Sequence, residues 1–69
     1  MNIGEAIEEL KRGGHVTRKG WNGKRMHLWL WRQQDFDPCI VMYTAQGTDQ
    51  PGWLASQADL LAEDWEIMS

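Results

Sequence analysis

One cysteine, two prolines, two histidines and no long apolar run set the limits of this 69-residue chain. With Cys39 alone an internal disulfide is excluded, and a free thiol suits a reducing compartment such as the cytoplasm. His15 and His27 do not join Cys39 at the spacing of a zinc site, so no metal is expected. The start of the chain lacks a charged-then-apolar leader pattern, and no stretch approaches the roughly 20 apolar residues of a membrane span. No Cys/His or Ser/His/Asp constellation, phosphate loop or paired metal-ligand motif occurs at recognisable spacing, which argues against an enzyme. Asp59, Glu63 and Asp64 offer a general base only in principle, because acids near a helix end ordinarily serve as caps or solvated charges. Repeats and low-complexity segments are also missing. What remains is a single domain over residues 1–69 with no cofactor signature.

Tryptophan, by contrast, is abundant: five in 69 residues. Five indoles would crowd one small core, so some are expected at an interface or a ligand site. A chain this short buries only a modest part of its surface, and with no disulfide or metal the remaining stabiliser is self-association. A homo-oligomer is therefore expected.

The net charge of −3 conceals an asymmetry. Six of the seven Lys and Arg lie between Lys11 and Arg25, whereas acids gather at Glu5, Glu8 and Glu9 and again from Asp59 to Glu66. An acidic total disfavours a long nucleic acid, whose affinity grows with the number of phosphates neutralised. A local cationic patch still suits one small anion.

In chain order, Asn2 and Glu5 have the spacing of a capping box, and Ile3, Ala6, Ile7 and Leu10 form one apolar stripe. Gly13-Gly14 stops the helix, which is predicted from about Ile3 to Arg12. His15–Arg18 reads as a short strand leading into a Gly-Trp-Asn-Gly turn. In Met26–Trp31, Met26, Leu28 and Leu30 face one side and His27, Trp29 and Trp31 the other, predicting a strand covered on both faces, by a neighbouring subunit, a ligand or a loop of its own chain. Gln33–Pro38 reads as a connection, Cys39–Thr44 as a strand and Ala45–Gly52 as a loop or hairpin tip. Ser56 and Asp59 suggest a cap over a helical turn through Leu60, Leu61 and Ala62, with Leu60, Leu61 and Trp65 assigned to the core. Trp65 and Ile67 alternate with acids as in a closing strand. The fold class is α+β: an N-terminal helix on a small antiparallel sheet, with a three-stranded core, a short helical turn near the C-terminus and a final strand.

The segment Thr17–Arg25 places four cations, two glycines, Trp21 and Asn22 in nine residues. Trp21 or Trp53 suits stacking on a base, and Arg18, Lys19, Lys24 or Arg25 suits a phosphate. Asn22, Ser56 and Gln57 bring donors and acceptors able to read base edges and ribose hydroxyls. A surface hairpin with Trp21 tucked into the core accounts for the same residues, and so does a Trp-rich adaptor that binds a host protein.

Two blocks carry a resemblance. Arg18–Lys24, preceded by a helix beginning Asn2-Ile3-Gly4-Glu5-Ala6, and Trp53–Trp65 resemble the opening and closing of a compact phage and prophage family long known only as a domain of unknown function, which includes the second type of Thoeris anti-defence protein. The resemblance runs from the first helix to Ile67. It implies a non-enzymatic sponge in the cytoplasm of a bacterial host. Thoeris defence makes a cyclic ADP-ribose isomer that activates a lethal effector, and proteins of this family hold that signal without cleaving it. Some also hold cyclic dinucleotides. The implied assembly is a homotetramer, a dimer of dimers, with pockets shared between subunits. The implied site residues are Trp21 as stacking platform, Asn22 as polar anchor, Arg18 and Lys24 for phosphate, Trp53 closing over the base, and Ser56, Gln57 and Asp59 hydrogen-bonding ribose or base. Ser56 and Asp59 serve equally as a helix cap. This chain departs from the family in the middle: the usual proline-rich excursion between the second and third strands is reduced to Arg32–Pro38, which implies a more open site or a different signal.

Overall fold

Helix α1 spans Ile3–Lys11 because both of its ends are closed by neighbouring residues. The Asn2 side chain accepts the Glu5 N–H at 2.9 Å, and the Glu5 carboxylate accepts the Asn2 N–H at 2.8 Å. At the other end Gly13 takes φ 92°, a conformation that favours glycine. The Gly13 and Gly14 amides then reach back to the carbonyls of Leu10 and Glu9, both at 3.0 Å, in a Schellman cap. The apolar stripe buries Ala6 and Leu10.

The computed structural model describes residues 1–22 and 25–68. Its strands are β1 (His15–Arg18), β2 (His27–Gln33), β3 (Phe36–Tyr43), β4 (Asp49–Pro51) and β5 (Trp65–Met68), with a second short helix, α2 (Gln57–Leu61), before β5. All pairings are antiparallel, and the sheet order is β4-β3-β2-β1-β5. The α+β class and the single helix-covered sheet agree with expectation, but the sheet has five strands.

Two boundaries are corrected. The expected connection Gln33–Pro38 is a hairpin whose turn is only Gln34-Asp35, with Asp35 at φ 75°. Pro38 lies inside β3, where a proline is tolerated for a visible reason. Pro38 falls where the β2–β3 register shifts between Trp31↔Cys39 and Gln33↔Phe36, so that Asp37 and Pro38 together face Arg32 and a ladder N–H is dispensable. There β4, which pairs only with Val41–Tyr43, has already ended. The expected loop Ala45–Gly52 contains the edge strand β4. Thr44 and Thr48 close the preceding turn through a 2.8 Å backbone bond, and Asp49–Pro51 returns beside β3. Residues with so little strand propensity fit only a short edge.

The core lies on the helix side of the sheet, where Ala6 and Leu10 of α1 meet Val16, Leu28 and Trp65. Trp65 is core, as expected. Leu60 and Leu61 are not: they are 42% and 78% exposed. In the five-residue α2 it is Asp59 that turns inward, and each following residue sits about 100° further round the helix. Residues 52–64 carry the chain from the β4 edge to the β5 edge and bring Trp53 onto the core cluster.

On the other side of the sheet, His15, His27 and Tyr43 stack in a row with ring centroids 5.1 Å apart at each step. Trp29 leans from β2 to donate its indole N–H to Asp49 at the start of β4, 3.0 Å away. Among the described residues no helix covers this face, so the two-sided cover expected for β2 is supplied within the chain only by such side chains.

Candidate functional site

Cross-strand pairing of β1 with β5 sets Arg18 opposite Trp65 and brings the basic segment against the acidic one. Arg18 donates from Nε to Asp64 Oδ1 and from Nη1 to Asp59 Oδ1, both at 2.8 Å. Its side chain is 17% exposed, against 11% for Asp59 and 31% for Asp64. These are charge-assisted bonds in a partly dry site.

Each carboxylate also holds a second element. Asp64 Oδ2 accepts the Gly20 N–H at 2.9 Å, and the Asp64 carbonyl accepts the Lys19 N–H at 3.3 Å. The 3₁₀ turn Lys19–Trp21 is thereby fastened to the approach of β5. Asp59 completes the capping box of α2, exchanging bonds with Ser56 at 3.0 and 3.1 Å. Its Oδ1 takes the Trp21 indole N–H at 3.3 Å, and its backbone carbonyl takes that of Trp65 at 3.1 Å.

Above this hub Trp21, Trp53 and Trp65 meet edge to face. The centroid separations are 5.3 Å for Trp21–Trp65, 6.1 Å for Trp53–Trp65 and 6.4 Å for Trp21–Trp53. Edge-to-face contact is the favourable arrangement for aromatic quadrupoles. Trp65 is buried, and Trp21 and Trp53 are half-buried.

The charges follow the geometry. Hydrogen bonds from Arg18 and the Gly20 amide hold Asp64 below the ordinary carboxylate range. Burial is the largest influence on Asp59 and pushes it up, but Arg18, Ser56 and Trp21 together outweigh it, so its carboxyl is also held low. The bonds to Asp64 and then Asp59 raise the Arg18 guanidinium further. Of the three acids named as possible bases, Asp59 and Asp64 are thus occupied by Arg18. No group of three His, Cys, Asp or Glu able to hold a metal occurs among the described residues.

The sequence-derived candidates divide accordingly. Arg18, Trp21, Trp53 and Asp59 meet at the hub. Ser56 caps α2 through its hydroxyl, and Gln57, first residue of α2, is exposed. Asn22 is exposed in the left-handed conformation, φ 53° and ψ 49°, which an Asn adopts readily. Lys24 lies outside the described residues. Two clefts flank the hub. One, of about 470 Å³, is lined by Thr17, Arg18, Lys19, Arg25, Met26, Glu66 and Met68. The other, of about 270 Å³, places Trp53 beside Met42, Gln50, Gly52 and Leu54. Trp21 lines neither of these two clefts. Asp64 was not foreseen as part of the site. The signal for it was the charge asymmetry, with six of the seven cations between Lys11 and Arg25 and four acids from Asp59 to Glu66.

The model of the Thoeris anti-defense 2-like domain matches residues 1–68. A curated relative, Thoeris anti-defense 2 of Bacillus phage SP01, is 39% identical over an alignment of 87 residues that covers 100% of this chain and 96% of the relative. The alignment is longer than this chain, so the relative carries insertions that this protein lacks.

Proposed function

This chain belongs to the Thoeris anti-defense 2-like family, and on that premise we propose that it is a phage or prophage immune-evasion protein that binds and sequesters a cyclic nucleotide signal without cleaving it. The family match over residues 1–68 carries the reading, and the site chemistry is compatible with it. Trp21 and Trp53 are only half-buried, which suits a role in stacking on a base. Lys19 and Arg25 line the 470 Å³ cleft, a volume in the range of small-molecule sites. Arg18 is committed to Asp59 and Asp64, so its part is to fix the turn that carries Trp21, and phosphate contact passes to Lys19 and Arg25, which form no ion pair among the described residues, and to Lys24. Asn22, Gln57 and the Ser56 hydroxyl supply polar contacts at the rim. The signal is a cyclic ADP-ribose isomer, a cyclic dinucleotide or both.

The active form is a homotetramer, a dimer of dimers, in which a neighbouring copy completes the pocket. Leu54 and Leu61, 89% and 78% exposed, support self-association. The same exposed leucines favour the second reading, an adaptor that inhibits a host factor by direct contact. Calorimetric titration with cyclic ADP-ribose isomers and cyclic dinucleotides decides between them. Saturable heat with one or more signals is expected for the sponge. Silence with all of them, together with capture of a host protein that is indifferent to Trp21→Ala, assigns the adaptor role instead.

A further inference from the structure

The open face of the sheet carries a second constellation that the Trp21 hub does not use. Trp29, Val41 and Pro51 lie side by side on β2, β3 and β4, because Val41 pairs with Trp29 on one side and with Pro51 on the other. Trp31, two residues along β2, shares their face, as does Asp49, two residues before Pro51. Together these five residues line a cleft of about 210 Å³ whose surface is almost wholly apolar. Its floor, Val41, is 1% exposed, whereas Trp31 at the mouth is 42% exposed.

The polar feature is Asp49. One oxygen accepts the Trp29 indole N–H at 3.0 Å, which fixes both the carboxylate and the indole. No Lys or Arg pairs with this carboxylate among the described residues. An acid without a cationic partner among the described residues, sharing a cleft with two indoles and a proline ring, has the composition of a cation-binding aromatic cage.

The lining also selects among cations. A primary ammonium brings three donors, and the cleft offers one carboxylate with no further side-chain acceptor. A quaternary ammonium has no donor to leave unsatisfied, and its methyl groups suit the apolar floor. We propose that the Trp29–Trp31–Asp49–Pro51 cleft binds a small quaternary alkylammonium ligand, with the cationic methyl groups against the indoles and the charge facing Asp49. This site is separate from the cyclic-nucleotide reading and does not depend on it.

The test is a titration of ¹⁵N-labelled protein, followed through the five indole N–H resonances. Choline chloride is the probe, and 3,3-dimethyl-1-butanol, which has nearly the same shape and no charge, is the comparison. Saturable shifts confined to the Trp29 and Trp31 indoles are expected with choline, and much weaker ones with the alcohol. Trp31→Ala removes an exposed ring and should weaken choline roughly fivefold, the size of a solvent-exposed cation–π contact. Asp49→Asn keeps the shape, removes the charge and should weaken choline without affecting the alcohol. Equal responses to choline and the alcohol would overturn the proposal, leaving only an apolar groove. The absence of saturable shifts, shifts centred on Trp21, Trp53 or Trp65, or an unchanged affinity in both variants would overturn it as well.

Discussion

Removing the Asp59 carboxylate should cost this small domain a large part of its stability, and the structure allows the size to be worked out. In Asp59→Ala the α2 capping box is lost, a change worth about 1 kcal/mol. Three donors lose their acceptor at the same time: Arg18 Nη1, the Trp21 indole N–H and the Ser56 amide. Each stranded donor in a partly dry site costs about 1–3 kcal/mol; the Ser56 amide is already counted with the capping box, and about 1 kcal/mol each suits the other two, since Arg18 keeps Asp64 and Trp21 is only half-buried. The sum is about 3 kcal/mol. At the entropy of unfolding usual for a chain of this length, that lowers Tm by roughly 15–20 °C. Thermal unfolding followed by circular dichroism reads the change directly, and near-ultraviolet dichroism reports whether Trp21 leaves its edge-on contact with Trp65. Glu63→Ala, four residues away and exposed, is the control and should shift stability by about 0.5 kcal/mol or less. A drop below roughly 5 °C for Asp59→Ala, or equal drops for both variants, would refute the hub as described.

Other outcomes follow from the same geometry. Because Asp59 and Asp64 titrate below their unfolded values, their stabilisation is complete above about pH 4 and is lost as the pH falls through the folded values; Tm measured from pH 7 to pH 2 should fall in that acid window, and less steeply in Asp59→Ala. Trp21→Ala should weaken signal binding tenfold or more, the scale of one lost stacking contact. It should also lower Tm, since the ring packs on Trp53 and Trp65; full-affinity binding in calorimetry would remove Trp21 from the site. Replacing both Leu54 and Leu61 by Glu should dissociate the assembly in sedimentation with little change in secondary structure, whereas an unaltered oligomer would place the interface elsewhere.

What could be read from the sequence was local. Both capping boxes, Asn2 with Glu5 and Ser56 with Asp59, bind across three residues, and the Gly13-Gly14 stop acts within one turn. The β4 strand was not legible, because Asp49-Gln50-Pro51 has no strand propensity and forms only where β3 supplies a partner. Leu60 and Leu61 have the composition of a core pair, yet the orientation of α2 is set by a carboxylate reaching Arg18, 41 residues earlier. Arg18 itself looked like a phosphate ligand for the same reason. Its partners Asp59 and Asp64 become neighbours only when β1 pairs with β5. The charge asymmetry marked a basic segment and an acidic one, but it was read as a patch for a small anion and not as two segments that meet through one arginine.

The central claim is that the protein removes a signal from solution and leaves it chemically unchanged. Mixing the protein in molar excess with a cyclic ADP-ribose isomer, ultrafiltering, and then denaturing the retained protein tests both halves in one measurement by chromatography. Depletion of the signal from the filtrate, followed by full recovery of the intact cyclic molecule after denaturation, is the predicted result. A linear product in either fraction, or a signal that passes into the filtrate undiminished, would contradict it.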